Sequence, residues 1–199
     1  RHRRAVALPA RGQAADLRSG GDQRPTAMGA GGRRRRGQPR HGARRGADRK
    51  CDAGGGFQNY PDDYKVIEEL HQAGELTLRI AYNLFTQKTG EEVADFTKWT
   101  KMVKPGDGDG YYRHNGAGEM LVFSAADFED FRMPRPDMAP NMENDLEAVV
   151  RILASNHWPF RLHATYNETI SRALDVFEKV NRDIPFDGIH WFFDHAETV

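Results

Sequence analysis

Cysteine is nearly absent: Cys51 is the single thiol in 199 residues. One thiol excludes an intrachain disulfide and a thiolate metal cluster, so neither a stapled secreted scaffold nor a zinc-ribbon fold is available. Long apolar runs are also missing. No stretch approaches the roughly 18 residues that a membrane span needs, and the N-terminal region has no apolar core of the kind a secretory signal carries. These absences point to a soluble chain, expected in the cytoplasm, with no membrane partner.

A third scarcity is local. Residues 1–50 contain no Ile, Phe, Trp or Tyr, and Leu only at Leu8 and Leu17. Such a segment cannot bury enough apolar surface to offset its chain entropy, which predicts a disordered tail. Its charge is equally one-sided, with 15 Lys/Arg against 3 Asp/Glu, whereas residues 51–199 carry 14 against 26. The run "GGRRRRGQPRHGARRG" offers phosphate-attracting arginines, but no aromatic residue is interleaved to stack on bases, which disfavours a nucleic-acid partner. Three readings stay open: a disordered native tail, a functional basic arm, and a GC-rich frame translated out of register. The last accounts best for the abrupt change at "KCDAGGGFQNYPDDY". The expected organisation is a basic tail over residues 1–51 and a folded region over residues 52–199.

What is present beyond the tail alternates between helical and extended signals. "PDDYKVIEELHQAG" opens on Pro and two Asp and stops at Gly74, as helices do. "LTLRIAYNLF" reads as a strand. "GEEVADFTKWTKMVK" reads as a helix leading into a short strand that ends near Lys104. The glycine-rich "PGDGDGYYRHNGAGE" reads as a long irregular loop, a length usually tied to function. "SAADFEDF" predicts a short helix capped by Ser124 or Asp127. "NDLEAVVRILASNH" places Leu146, Val149, Val150 and Leu153 on one stripe, with Asn144 as its cap. "WPFRLHAT" is a strand, followed by a helix opening on a Thr165-x-x-Glu168 capping box and a last strand in "GIHWFFDHAETV". Strands separated by helices argue for an α/β fold built from parallel βαβ units.

Two strands end alike. "RLHAT" supplies His163 and "FFDHAET" supplies His195, 32 residues later. One histidine at such a place is commonly a satisfied, half-buried side chain. Two of them one βα repeat apart fit a different reading, because C-terminal strand ends converge on the mouth of a βα barrel and neutral imidazole is a common zinc ligand.

Through "QNYPDDY", "LTLRIAYNLF", "RLHATYNETISRALDVFEKV" and "FFDHAETV" the chain resembles the YtcJ-like, amidohydrolase-3 group of metal-dependent amidohydrolases. The resemblance implies a partial TIM-type (β/α)8 barrel, about half of one. It implies a divalent metal, zinc being the expected ion, and a small-molecule amide substrate. It also implies a ligand set in which His163 matches the strand-five histidine, His195 the strand-six histidine, and Lys104 in "MVKPGDGDG" the bridging lysine, with Lys101 as a rival. Asp194 stands where the family commonly has Glu. The family's H-x-H pair and its strand-eight aspartate, the general base, have no counterpart here, so no catalytic residue is assigned. On the barrel mouth that the resemblance implies, Asp107, Asp109, Tyr111, Tyr112, Arg113 and Glu119 would follow the lysine strand and face substrate. The implied activity is metal-dependent hydrolysis of a non-peptide carbon–nitrogen bond, of the amide or N-substituted formamide type, incomplete in this chain alone. The alternative is a non-catalytic scaffold that uses the Arg-rich arm on nucleic acid.

Overall fold

Five segments are extended, and four α-helices join them one after another. A computed structural model describes residues 49–52, 59–128 and 137–198. The basic tail up to residue 48 lies outside the described residues, as does the connector at 129–136. The elements are β1 (Arg49–Asp52), α1 (Lys65–Gln72), β2 (Arg79–Leu84), α2 (Glu92–Met102), β3 (Tyr112–Ala117), α3 (Met142–Ser155), β4 (Phe160–Tyr166), α4 (Asn167–Asp183) and β5 (Trp191–Thr198). β1 begins at Arg49, so the strand straddles the boundary that composition draws after residue 51.

All five strands pair in parallel, in the order β1-β2-β3-β4-β5. An order that never reverses keeps every helical crossover on one face. That is the topology of a βα barrel, here about half of one, rather than of a doubly wound sheet. The described residues thus form the α/β half-barrel that the sequence leads one to expect.

The helix-facing side of the sheet carries the core. Tyr82, Leu84, Tyr112, Phe160 and Leu162 pack there against Phe96 and Trp99 of α2, Leu146, Val149, Val150 and Leu153 of α3, and Phe177 and Val180 of α4. Each such side chain contributes roughly 1.5–3 kcal/mol by leaving water. The α3 stripe is the one read from the sequence, and its four members are fully buried. Its start differs, because α3 opens at Met142 with Asn141 at the N-cap, leaving Asn144 inside the helix. α4 likewise opens at Asn167 rather than at Thr165, which belongs to β4.

The larger difference lies between α2 and β4. No strand ends at Lys104: α2 runs to Met102 and the chain then turns, while the third strand is "YRHNGA", inside the stretch whose glycines read as loop. Two features make that segment a strand. Tyr112 stacks on Tyr82 with ring centroids 4.7 Å apart, and His114, fully buried, lies 4.4 Å from the Trp158 ring. Gly116 then lets β3 approach β4. Its φ is +137°, and a Cβ there would lie 2.1 Å from the Pro159 carbonyl oxygen. Ala117 N–H donates to that same carbonyl at 2.8 Å. Gly116→Ala therefore forces both a disfavoured φ and a backbone clash. The expected cost is on the order of 3 kcal/mol, read as a fall of roughly 6–12 °C in Tm by thermal denaturation; an unchanged Tm would contradict the close β3–β4 approach.

Candidate metal centre

The inner face of the sheet, opposite the helices, is polar. On β4 the helix-facing residues are Phe160, Leu162 and Ala164, so Arg161, His163 and Thr165 project to the inner side, as alternation requires. On β5, Trp191 and Phe193 pack toward Phe177, with ring centroids 5.1 and 5.9 Å away. Asp194, in register with His163, therefore faces inward. There it forms an ion pair with Arg161, whose Nε donates to Asp194 Oδ2 at 2.5 Å.

Strict alternation would send His195 back toward the helices with Phe193. The chain avoids this by a register slip: Ala164 pairs with His195, but Tyr166 pairs with Thr198. His195 and Ala196 both take positive φ, +73° and +52°. Non-glycine residues seldom adopt that region, and it costs of order 1–3 kcal/mol per residue. The slip swings the His195 ring beside that of His163, with centroids 4.3 Å apart.

A carboxylate completes the group. Past the end of β3, Gly118 N–H donates to the Leu84 carbonyl at 2.7 Å and the Glu119 carbonyl accepts from His163 N–H at 2.9 Å. This extension lays Glu119 beside β4. Its Oε2 lies 3.3 Å from His195 Nε2 and 3.9 Å from His163 Nδ1. One ligand atom from each of Glu119, His163 and His195 lies within 4.8 Å of the others. The His163 imidazole foremost, and that of His195, hold the Glu119 carboxyl below the usual carboxylate range against its partial burial. Glu119 is accordingly an anion at neutral pH.

Each histidine has a further carboxylate at its other nitrogen. His195 Nδ1 lies 3.4 Å from Glu197 Oε1, and His163 Nε2 lies 3.4 Å from Asp127 Oδ1. Asp127, expected to cap a short helix, instead accepts from Thr165 N–H and Tyr166 N–H of β4 through Oδ2, at 2.8 and 3.1 Å. Exposure also grades across the group: His163 is 3% exposed, whereas His195 opens to solvent. Phe128 packs edge-on to His163 at 4.6 Å and is largely exposed.

The donor set fits a small divalent cation. Two imidazoles and one carboxylate are the mixed N/O set that zinc accepts. An ion holding them at about 2.0–2.1 Å would space the donors roughly 3.4 Å apart; Glu119 and His195 already stand 3.3 Å apart, and the widest separation, within 4.8 Å, would have to close by up to about 1.4 Å.

The other residues singled out in the sequence lie elsewhere. Lys104 follows α2 and precedes β3, so it sits on the approach to the strand rather than past its end. Its backbone N–H donates to Asp107 Oδ2 at 2.7 Å. Lys101 is within α2. Asp109 Oδ1 accepts from Tyr111 and Tyr112 N–H and lies 3.1 Å from His71 Nε2. Tyr112 is in the core, and Arg113 lines a separate cavity of about 160 Å³ with Lys50 and Arg79. These residues moved to the N-terminal end of the sheet because the third strand begins eight residues after Lys104. Only Glu119, from the same stretch, reaches the histidines.

Parallel strands in sequential order, with a carboxylate and two imidazoles converging past β3 and across β4 and β5, define a half βα barrel with a candidate cation site at its strand ends. The sequence model of the amidohydrolase family matches residues 22–199, and the chain belongs to that family. The match begins within the basic segment, so it reaches further toward the N-terminus than the motifs quoted above. Searches of curated proteins and of solved structures returned no match.

Proposed function

We propose that the chain carries the metal centre of a metal-dependent amidohydrolase that cleaves a non-peptide carbon–nitrogen bond in a small amide or N-substituted formamide, with zinc as the ion and Glu119, His163 and His195 as its ligands. The observation that carries this reading is the convergence of those three side chains at the strand ends, achieved through two positive-φ residues in β5. Strained backbone that serves no packing purpose is commonly retained where it positions functional groups. A zinc ion held there supplies Lewis acidity, polarising a carbonyl and lowering the pKa of water.

The chain's own side chains set the rest. Glu119, ionised and shared between two imidazoles, contributes negative charge to the cation and is poorly suited to act as a base. Arg161 fixes Asp194 on the inner wall, on the strand next to His163 and in register with it. Phe128 presents an exposed ring next to His163 and forms an apolar wall for the substrate's carbon skeleton. Among the described residues no helix is long and apolar enough to cross a membrane.

The test is zinc binding by the purified chain, measured by equilibrium dialysis, beside the His163→Ala, His195→Ala double variant. One zinc bound by the wild type and lost in the double variant is the expected result, with little or no amine released from N-formyl and N-acyl amines because the chain supplies no assigned general base. Zinc bound equally by the double variant would overturn the reading.

A further inference from the structure

We infer that Asp127 is a positioning residue that fixes the tautomer of His163, placing the imidazole proton on Nε2 and leaving the Nδ1 lone pair directed at Glu119 and His195. The inference rests on the metal-centre reading above and extends it to a residue outside the ligand set.

The geometry divides Asp127 into two functions. Its carboxylate is fully buried. Oδ2 is committed to the backbone, accepting from the N–H groups of Thr165 and Tyr166. These two bonds bind the segment after the β3 extension to β4 and hold the carboxylate in a fixed place. Oδ1 has no hydrogen bond of its own among the described residues, and it lies 3.4 Å from His163 Nε2. A buried oxygen without a donor carries a desolvation penalty that an N–H turned toward it removes. Thr165 Oγ1, also buried, stands 3.4 Å from the same nitrogen and can accept as well.

Two oxygens therefore face Nε2, and neutral imidazole carries one proton. Placed on Nε2, it leaves Nδ1 unprotonated, 3.9 Å from Glu119 Oε2, beyond hydrogen-bond range and open to a cation between the two. A cation can be held only by the nitrogen that lacks the proton. Carboxylates that orient ligating histidines in this way typically change metal affinity 10–100-fold when removed. The helical cap expected of Asp127 would give none of this, because a cap needs one backbone bond near its own turn, not two bonds to β4 and a free oxygen at a histidine.

Asp127→Asn separates the two functions. The amide oxygen keeps the bonds to Thr165 and Tyr166, while the NH2 group replaces Oδ1 and donates to Nε2. The His163 proton then moves to Nδ1, where it blocks the ligand site. Two readouts are needed. Imidazole nitrogen NMR on the metal-free chain, with His163 assigned by its loss in H163Q, should show Nε2–H in the wild type and Nδ1–H in D127N. Zinc affinity, measured by chelator competition, should fall about 10–100-fold in D127N. A wild-type His163 already protonated on Nδ1 would overturn the inference without any variant, so it stands exposed even if D127N fails to fold. Zinc bound equally by wild type and D127N would overturn it alone. Failure of the wild type to bind zinc at all would overturn the metal-centre reading and this inference with it.

Discussion

Glu119→Gln is expected to weaken zinc binding by more than about 100-fold, and Lys104→Ala to leave it unchanged. Outer residues that merely orient a ligand already account for up to about 100-fold, and Glu119 offers the one anionic donor of the group. Its carboxylate is held ionised by the two imidazoles it lies between. Glutamine keeps the size and removes the charge, so two neutral imidazoles would face the cation alone. Lys104 precedes the third strand, and its backbone is tied to Asp107, not to either histidine. The pair of substitutions therefore discriminates between a lysine-centred and a glutamate-centred site. Isothermal titration with zinc measures both; a loss with Lys104→Ala and none with Glu119→Gln would reverse the assignment.

Trp158→Ala is expected to cost about 3–5 kcal/mol, the range for deleting a large buried aromatic. Trp158 is 1% exposed, and its ring meets His114 at 4.4 Å. Its backbone N–H, which the substitution leaves in place, donates to the Leu153 carbonyl at 2.9 Å and closes the turn from α3 into β4. The ring belongs to the core beside β3, and the β3–β4 pairing rests on a single registered pair, Ala117 with Phe160. No further ladder is available to compensate among the described residues. Since domains of this size are stable by roughly 5–15 kcal/mol, the variant should lose a large share of its stability. Urea denaturation measures it, and a midpoint near that of the wild type would contradict the view that Trp158 joins the two halves of the sheet.

Much of the half-barrel was legible in residue patterns. The α3 stripe at Leu146, Val149, Val150 and Leu153 and the strands around Ile80, Leu162 and Phe193 follow simple periodicities. The third strand was not legible. In "YRHNGA" the buried positions are occupied by Tyr, His and Gly, and what makes them a strand is distant: Tyr82, Trp158 and the Pro159 carbonyl. Mistaking that strand for loop shifted the strand end to Lys104 and put Asp107, Asp109, Tyr112 and Arg113 at the wrong end of the sheet.

The site divides in the same way. His163 was legible because it follows alternating residues in a strand that the sequence marks clearly. His195 was legible as a residue but not as a geometry, since alternation alone turns it toward the helices and only the slip at Ala196 returns it. Glu119 stood among residues expected to touch substrate, and its place beside His163 depends on an extension of β3 bonded to both Leu84 and β4. Asp127 carried the signal of a helix cap. Its bonds to residues 38 and 39 positions away cannot be read from local sequence.

The central claim is that Glu119, His163 and His195 hold one divalent cation. Zinc-edge X-ray absorption on the zinc-loaded chain tests it most directly. The account predicts a single shell of nitrogen and oxygen at about 2.0–2.1 Å, with outer-shell scattering from two imidazoles that is lost when His163 and His195 are both replaced by alanine. A sulfur shell at about 2.3 Å, which in this chain requires Cys51 or a methionine, or a spectrum that the double replacement leaves unchanged, would contradict it.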